Sequence, residues 1–190
     1  MKQGIANVWL IALVIGFIFM FTAYITVTLN YTASFKMKNE VLKIIEKKKG
    51  VTNFAGKNVD TVFDSKPSIS GGSLIGQTGT IQTINLYLLG NAYSAMGYCP
   101  KPEAGEVWIG IKKLDATSAD YDKPASTSEK YYYCITKLKY GKYKNKKLQP
   151  YFYKVRMFYK FEVPVLADFF SVKVEGKTMQ IVEVQDTIWG

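Results

Sequence analysis

Histidine is absent from this chain of 190 residues, and arginine occurs once, as Arg156. Without imidazole there is no Ser-His or Cys-His dyad and no histidine metal ligand. Cysteine occurs only at Cys99 and Cys134, so thiol chemistry is scarce as well. The chain holds no GxxxxGK[ST], GxGxxG or GxSxG, and the spacing of Gly71, Gly72, Gly76 and Gly79 in SISGGSLIGQTGT matches no phosphate-binding loop. No residue can be named catalytic, no metal or cofactor site is indicated, and the chain reads as something other than an enzyme. Two further absences bear on architecture. No charge lies between Val8 and Leu29, and no proline or glycine lies between Gly16 and Gly50.

What is present is a folded composition. Hydrophobic residues make up 48% and charged residues 21% of the chain, which is globular and not disordered. The formal net charge is +10, carried almost wholly by lysine. A lysine-dominated chain rich in Asn, Ile and Tyr has the stamp of an AT-rich bacterial genome. The charge suits an acidic partner such as nucleic acid, anionic lipid or an anionic cell-wall polymer, and equally a solvated surface under lysine-biased coding. Arginine, the better bidentate phosphate ligand, is nearly missing.

The opening MKQGIANVWLIALVIGF admits three readings: a secretory signal that is removed, an anchor that stays, or a prepilin-type leader cut after Gly4. The uncharged run from Val8 to Leu29 covers 22 residues. As a helix it is about 33 Å long, enough for a hydrocarbon core of about 30 Å. A secretory h-region is shorter and ends in a small-x-small cleavage site, and nothing like that follows. The run therefore reads as a retained membrane span.

Beyond it, NYTASFKMKNEVLKIIEKKK carries apolar residues at 31, 35, 42 and 45, with 37, 41 and 44 beside them. These are helical spacings, giving an apolar stripe opposite a polar face. With no breaker between, one continuous helix is expected, capped at Gly50, with Lys47, Lys48 and Lys49 at the negative end of its dipole. Residues 51–80 read as a loop-rich connection. TIQTINLYLLGNAYSAMGYC reads as a second helix through Ile81, Ile84, Leu88, Ala92 and Ala95, ending at Gly97. The period then changes to two. VWIGIKKL (107–114), KYYYCITKLKY (130–140) and PYFYKVRMFYKFEV read as strands, the last with Tyr153, Val155, Met157, Tyr159, Phe161 and Val163 inward and Lys154, Arg156, Phe158, Lys160 and Glu162 outward. Pro164 stops that strand. FFSVKVEGKTMQIVEV is expected as a hairpin turning at Glu175–Lys177. The class is α+β: a transmembrane and amphipathic helix over 1–50, a connection over 51–80, and an antiparallel sheet with one further helix over 81–190.

Two cysteines in a β-rich domain suggest a Cys99–Cys134 disulfide outside the cytoplasm, and a thiol pair in a reducing compartment is the alternative. KLKYGKYKNKK sets Lys137, Lys139, Lys142, Lys144, Lys146 and Lys147 around Tyr140 and Tyr143, which suits contact with DNA or an anionic cell-wall polymer, or a solvated hairpin tip. NYT at 30–32 fits a glycosylation pattern but falls at the membrane boundary. Orientation is contradictory. Lys36, Lys38, Lys43 and Lys47–Lys49 on the far flank, against Lys2 alone, favour a cytoplasmic domain by the positive-inside rule. The cysteine pair and the Tyr/Thr/Asn-rich sheet favour the outside, where the domain is expected.

A hydrophobic helix that continues as an amphipathic one and ends on an antiparallel sheet resembles the type IV pilin-like proteins. The chain is most similar to the TadE-like minor subunits of tight-adherence systems, and to pseudopilins. The first 50 residues carry the likeness, supported by the Tyr/Phe-rich strand running into VPVLADFF and VKVEGKT. The resemblance implies a single-pass subunit of a bacterial surface filament or secretion apparatus, anchored in the cell membrane and packed against other pilin-like subunits. The family leader is cut after a glycine; here Gly4 would give IANVW as the new start. Glu is frequent at the fifth mature position, where this chain has Trp9, and that departure points to a minor or tip role. The expected assembly face of the helix is Val8, Leu10, Ile15, Phe19, Phe35, Leu42 and Ile45. The competing functions are a membrane-tethered binding module acting through the 137–147 loop, and a cytoplasm-facing scaffold.

Overall fold

The computed structural model describes residues 2–51, 79–103, 106–114, 124–139, 148–160 and 171–184. Helix α1 (Lys2–Lys47) runs unbroken for 46 residues, roughly 69 Å at 1.5 Å per residue. Its end differs in detail from expectation. Gly50 N–H donates to the Ile45 carbonyl and Lys49 N–H to that of Glu46, the paired bonds of a Schellman motif. The residue in the left-handed region is thus Lys49, at φ 53°, while Gly50 follows it at φ 154°. Helix α2 (Thr80–Gly90) closes in the same way, with Tyr93 N–H on Leu88 O and Ala92 N–H on Leu89 O. Ala92 takes φ 52°. The second helix therefore stops seven residues before the expected Gly97. Asn91 ends it, its amide donating to the Tyr87 carbonyl at 2.7 Å.

The strands are β1 (Gly97–Tyr98), β2 (Trp108–Ile111), β3 (Lys130–Tyr131), β4 (Tyr133–Lys139), β5 (Leu148–Lys160), β6 (Ser171–Lys177) and β7 (Ile181–Val184). A five-stranded antiparallel sheet runs β2-β4-β5-β6, with β7 also on β5, and β1 pairs separately with β3. Strand β5 is the spine of the sheet. It pairs β4 along one edge from Tyr151 to Met157, and β6 then β7 along the other.

That second edge corrects the expected C-terminal hairpin. Strands β6 and β7 run in the same direction along one edge, with Lys154 opposite Lys177 and Tyr151 opposite Ile181. Three residues on this side face two on β5, which is a one-residue bulge. Thr178 makes the bulge possible: its N–H donates to the Tyr153 carbonyl, and its hydroxyl accepts the Tyr153 N–H, both at 2.9 Å. A hydroxyl replaces the missing ladder carbonyl, so the EGK segment continues as strand. Phe161–Val163 and Pro164, and nearly all of the 51–80 connection, lie outside the described residues.

The alternation along β5 determines what the sheet buries. Tyr153, Val155 and Met157 are fully buried, with Tyr151 and Tyr159 nearly so. Val41, Leu42 and Ile45 of α1, and Ile81, Ile84 and Leu88 of α2, cover them. Gly176 sits under α1, where an added Cβ would lie 2.7 Å from Leu42 Cδ1 and 2.9 Å from Lys38 Cδ. Thr80 bonds the Gly50 carbonyl at 2.8 Å, and Met179 N–H reaches Glu46 at 2.7 Å, fixing the head of α1 to both layers. The result is the expected α+β architecture.

Candidate functional site

Helix α1 has two unlike halves. From Val8 onward it is long and apolar enough, by length and composition, to cross a membrane, with an 18-residue stretch reaching a mean hydropathy of 2.5. Among the described residues that half packs on nothing: Trp9 is 72% exposed and Met20 75%. Its threonines are satisfied internally. Thr22, Thr26, Thr28 and Thr32 donate their hydroxyls to the carbonyls four residues back, at 2.7 to 2.9 Å. Such back-bonding spares these threonine hydroxyls a desolvation cost in an apolar medium.

The second half is a core element of the domain. Ser34 is buried, Phe35, Met37 and Ile44 are half-buried, and Val41 and Ile45 are fully enclosed. The expected assembly face therefore divides. Val8, Leu10, Ile15 and Phe19 are bare, at 47 to 67% exposure. Leu42 and Ile45 instead pack inside their own domain and are withdrawn from any subunit contact, and Phe35 is partly withdrawn. The reason is periodicity: an apolar stripe marks a buried face without saying which surface buries it. Gly4 lies within the helix near its start.

The lysine-rich stretch is also redistributed. Lys137 shares its side of β4 with Tyr133 and Ile135, is 8% exposed, and places Nζ 4.2 Å above the Tyr151 ring. Its ammonium is engaged by that aromatic face, so it is not a surface contact for a polyanion. Lys139 is exposed; Tyr140, Lys142, Tyr143, Lys144, Lys146 and Lys147 lie outside the described residues.

Cys99 and Cys134 are joined as a disulfide, with their Cα atoms 5.7 Å apart. Cys134 lies on the side of the sheet away from the helices. The bond ties the segment after α2 across that side, where the Phe158 ring lies over Gly97 and the Tyr131 ring over Gly110. A Cβ at either glycine would meet the ring at 2.3 Å. The segment is also held by Tyr93. Its hydroxyl lies 2.6 Å from the Phe158 carbonyl and 2.8 Å from that of Tyr132, and accepts the Phe158 N–H at 3.0 Å. Burial pushes the Tyr93 phenol well above its ordinary range, and that of Tyr159 likewise. On the helix side, Tyr133 donates to Asn85 at 2.8 Å, a buried polar pair that no periodicity announces.

The remaining outer surface of β5 and β6 is cationic. Lys154, Arg156 and Lys160 point outward from β5, with Lys173 and Lys177 beside them on β6. Lys154 and Arg156 lie over the Trp108 ring, at 5.5 and 5.9 Å, and Lys177 over Phe152 at 5.3 Å. Glu175 is the acidic member, paired with Arg156 and with Lys154. A hollow of about 240 Å³ lined by Phe152, Lys177, Thr178 and Gln180 lies at one end of this surface. The alternation on β5 had already sent Lys154, Arg156 and Lys160 outward; what it could not show was that β6 adds two more lysines alongside. Among the described residues no group of three or more Cys, Asp and Glu side chains could hold a metal ion. Compared with protein-family models, with curated proteins and with solved structures, the chain matches none.

Proposed function

We propose that this chain is a single-pass, membrane-anchored, pilin-like structural subunit, a minor pilin or pseudopilin of a bacterial surface filament or secretion apparatus, assembling through its N-terminal helix. The observation that carries this is the division of α1. One unbroken helix is bare and apolar over its first half, while its second half is built into the domain core. A flexible tether would need neither the continuity nor the core packing. A rigid rod fused to a domain transmits position, which is what a subunit stacked by its helix requires. The disulfide supports placing the domain on the extracytoplasmic side, where such bonds persist. The lack of histidine and of nucleotide motifs supports a structural role over a catalytic one.

The test separates rod from tether. Replacing residues 8–29 with an unrelated apolar span of equal length should leave membrane insertion and the disulfide intact, and abolish co-purification with neighbouring subunits. Leu10→Lys should act in the same direction. Full assembly with the unrelated span would sink the proposal.

A further inference from the structure

The outward face of β5 and β6 has the wrong chemistry for an idle surface. Lys154 and Lys177 stand directly opposite each other across the two strands, and like charges so placed are destabilising. Lys160 and Lys173 extend the same sign along the lane, and both are exposed. The chain's one arginine is here too, tied to Glu175. That leaves five cations and one carboxylate on two adjacent strands. Outward side chains recur about every 6.8 Å along a strand, and the strands lie about 4.8 Å apart, so Lys154 and Lys160 are about 20 Å apart. On β5 the lane is interrupted at Phe158, buried against Gly97, and it continues past that point along β6 from Lys177 to Lys173.

We propose that this two-strand lane binds a flexible, linear, non-nucleotide polyphosphodiester, an anionic polymer of the glycerol-phosphate type. A chain with one anion per repeat can set successive phosphates against successive lysines and relieve their mutual repulsion. The aromatic groups decide against nucleic acid. Strands of DNA or RNA are held by stacking bases on open ring faces. Here Trp108 is only 2% exposed, beneath Lys154 and Arg156, and Phe152 carries Lys177. The protein's own cations occupy the ring faces, so bases find no platform. A folded acidic protein is disfavoured because protein interfaces are anchored by apolar side chains in central pockets, whereas the hollow lined by Phe152, Lys177, Thr178 and Gln180 lies at one end of the lane and the lane beside it carries Lys154, Arg156 and Glu175. This surface is separate from the helix and does not depend on it for assembly.

The experiment uses the full chain in a neutral detergent and a fluorescein-labelled glycerol-phosphate oligomer, titrated at two salt concentrations. With four phosphates neutralised, affinity should fall about fiftyfold between 50 and 200 mM salt, at about 0.7 per contact in the log–log slope. The variant carrying Lys154→Gln, Lys160→Gln, Lys173→Gln and Lys177→Gln should lose binding. A control carrying Lys36→Gln, Lys43→Gln, Lys47→Gln and Lys101→Gln loses the same net charge and should bind within about threefold of the parent. The pair Lys173→Gln and Lys177→Gln, both exposed, serves if the fourfold variant fails to form its disulfide, and should weaken binding and lower the salt slope by about 1.4. Equal loss in the control would overturn the proposal by showing a response to net charge alone. Tighter binding of an oligothymidylate of matched phosphate count would overturn it in favour of nucleic acid, and salt-independent binding would overturn it outright.

Discussion

Tyr93 occupies the point where β4 and β5 part, and its hydroxyl serves backbone groups of Tyr132, just before β4, and of Phe158 on β5. The ring adds an edge-on contact with Tyr159, the centroids 5.6 Å apart. Removing the hydroxyl strands buried partners, a loss of about 1–3 kcal/mol. Tyr93→Phe should therefore lower the urea midpoint of the full chain while leaving the helix content unchanged. The same residue sets an alkaline limit. Burial holds the phenols of Tyr93 and Tyr159 protonated above their ordinary value of 10.0, at which they ionise once unfolded. Above that pH the unfolded chain binds fewer protons than the folded one, so stability falls as pH rises. Below it, the contribution is fully present. Each such tyrosine steepens the fall by up to about 1.4 kcal/mol per pH unit. Urea midpoints measured from about pH 8 to 11 should drop past about pH 10, and less steeply for Tyr93→Phe.

At the scale of the element, α1 makes a sharper prediction. Ile45 is fully buried and Leu10 is 64% exposed on the same helix. Ile45→Ala should destabilise the domain by about 2–5 kcal/mol, while Leu10→Ala should leave it within about 0.5 kcal/mol. Near-UV circular dichroism under denaturant reads both. Comparable losses from the two would mean that the bare half supports the domain after all. The continuity of α1 was legible because nothing between Gly16 and Gly50 breaks a helix. The strand β5 was legible because its alternation is long and unbroken. What escaped were features decided by a single hydrogen bond or by a neighbour. Glu175–Lys177 has turn chemistry, yet it stays in the ladder opposite Lys154–Arg156, and the Thr178 hydroxyl carries the chain on through the bulge to β7. The apolar series in α2 runs past Gly90, yet the Schellman bonds to Leu88 and Leu89 release Ala92 and Tyr93 from the helix. Lys137 falls among lysines in sequence, but its phase with Ile135 and Tyr133 sends it to the buried side. The cationic lane was half visible, since a strand shows its own outward residues and never those of the strand beside it.

For the whole molecule, orientation turns on two opposed signals. Lys36, Lys38 and Lys43 crowd the domain-side flank of the candidate span, and cytoplasmic flanks are usually the lysine-rich ones. The disulfide argues the other way, because a 35-residue separation between its cysteines gives about 3.8 kcal/mol of stabilisation in the chain-entropy model. A fold of this size that leans on such a bond is poorly suited to a compartment that keeps thiols reduced. The charge rule is a statistical bias on insertion, whereas the bond is part of the packing: it holds the segment bearing Tyr93 and Gly97 against the sheet. The bond thus supports the extracytoplasmic arrangement that the proposed function requires. Cys99 and Cys134 are buried, so the reporter is the exposed Met179: in intact cells a membrane-impermeant thiol reagent should label Met179→Cys, while Cys99 and Cys134 should be labelled only in denatured, reduced protein. Replacing both cysteines with serine should cost stability of the order given above and leave membrane insertion untouched. Labelling of Met179→Cys that appears only after lysis would place the domain in the cytoplasm and remove the filament reading with it.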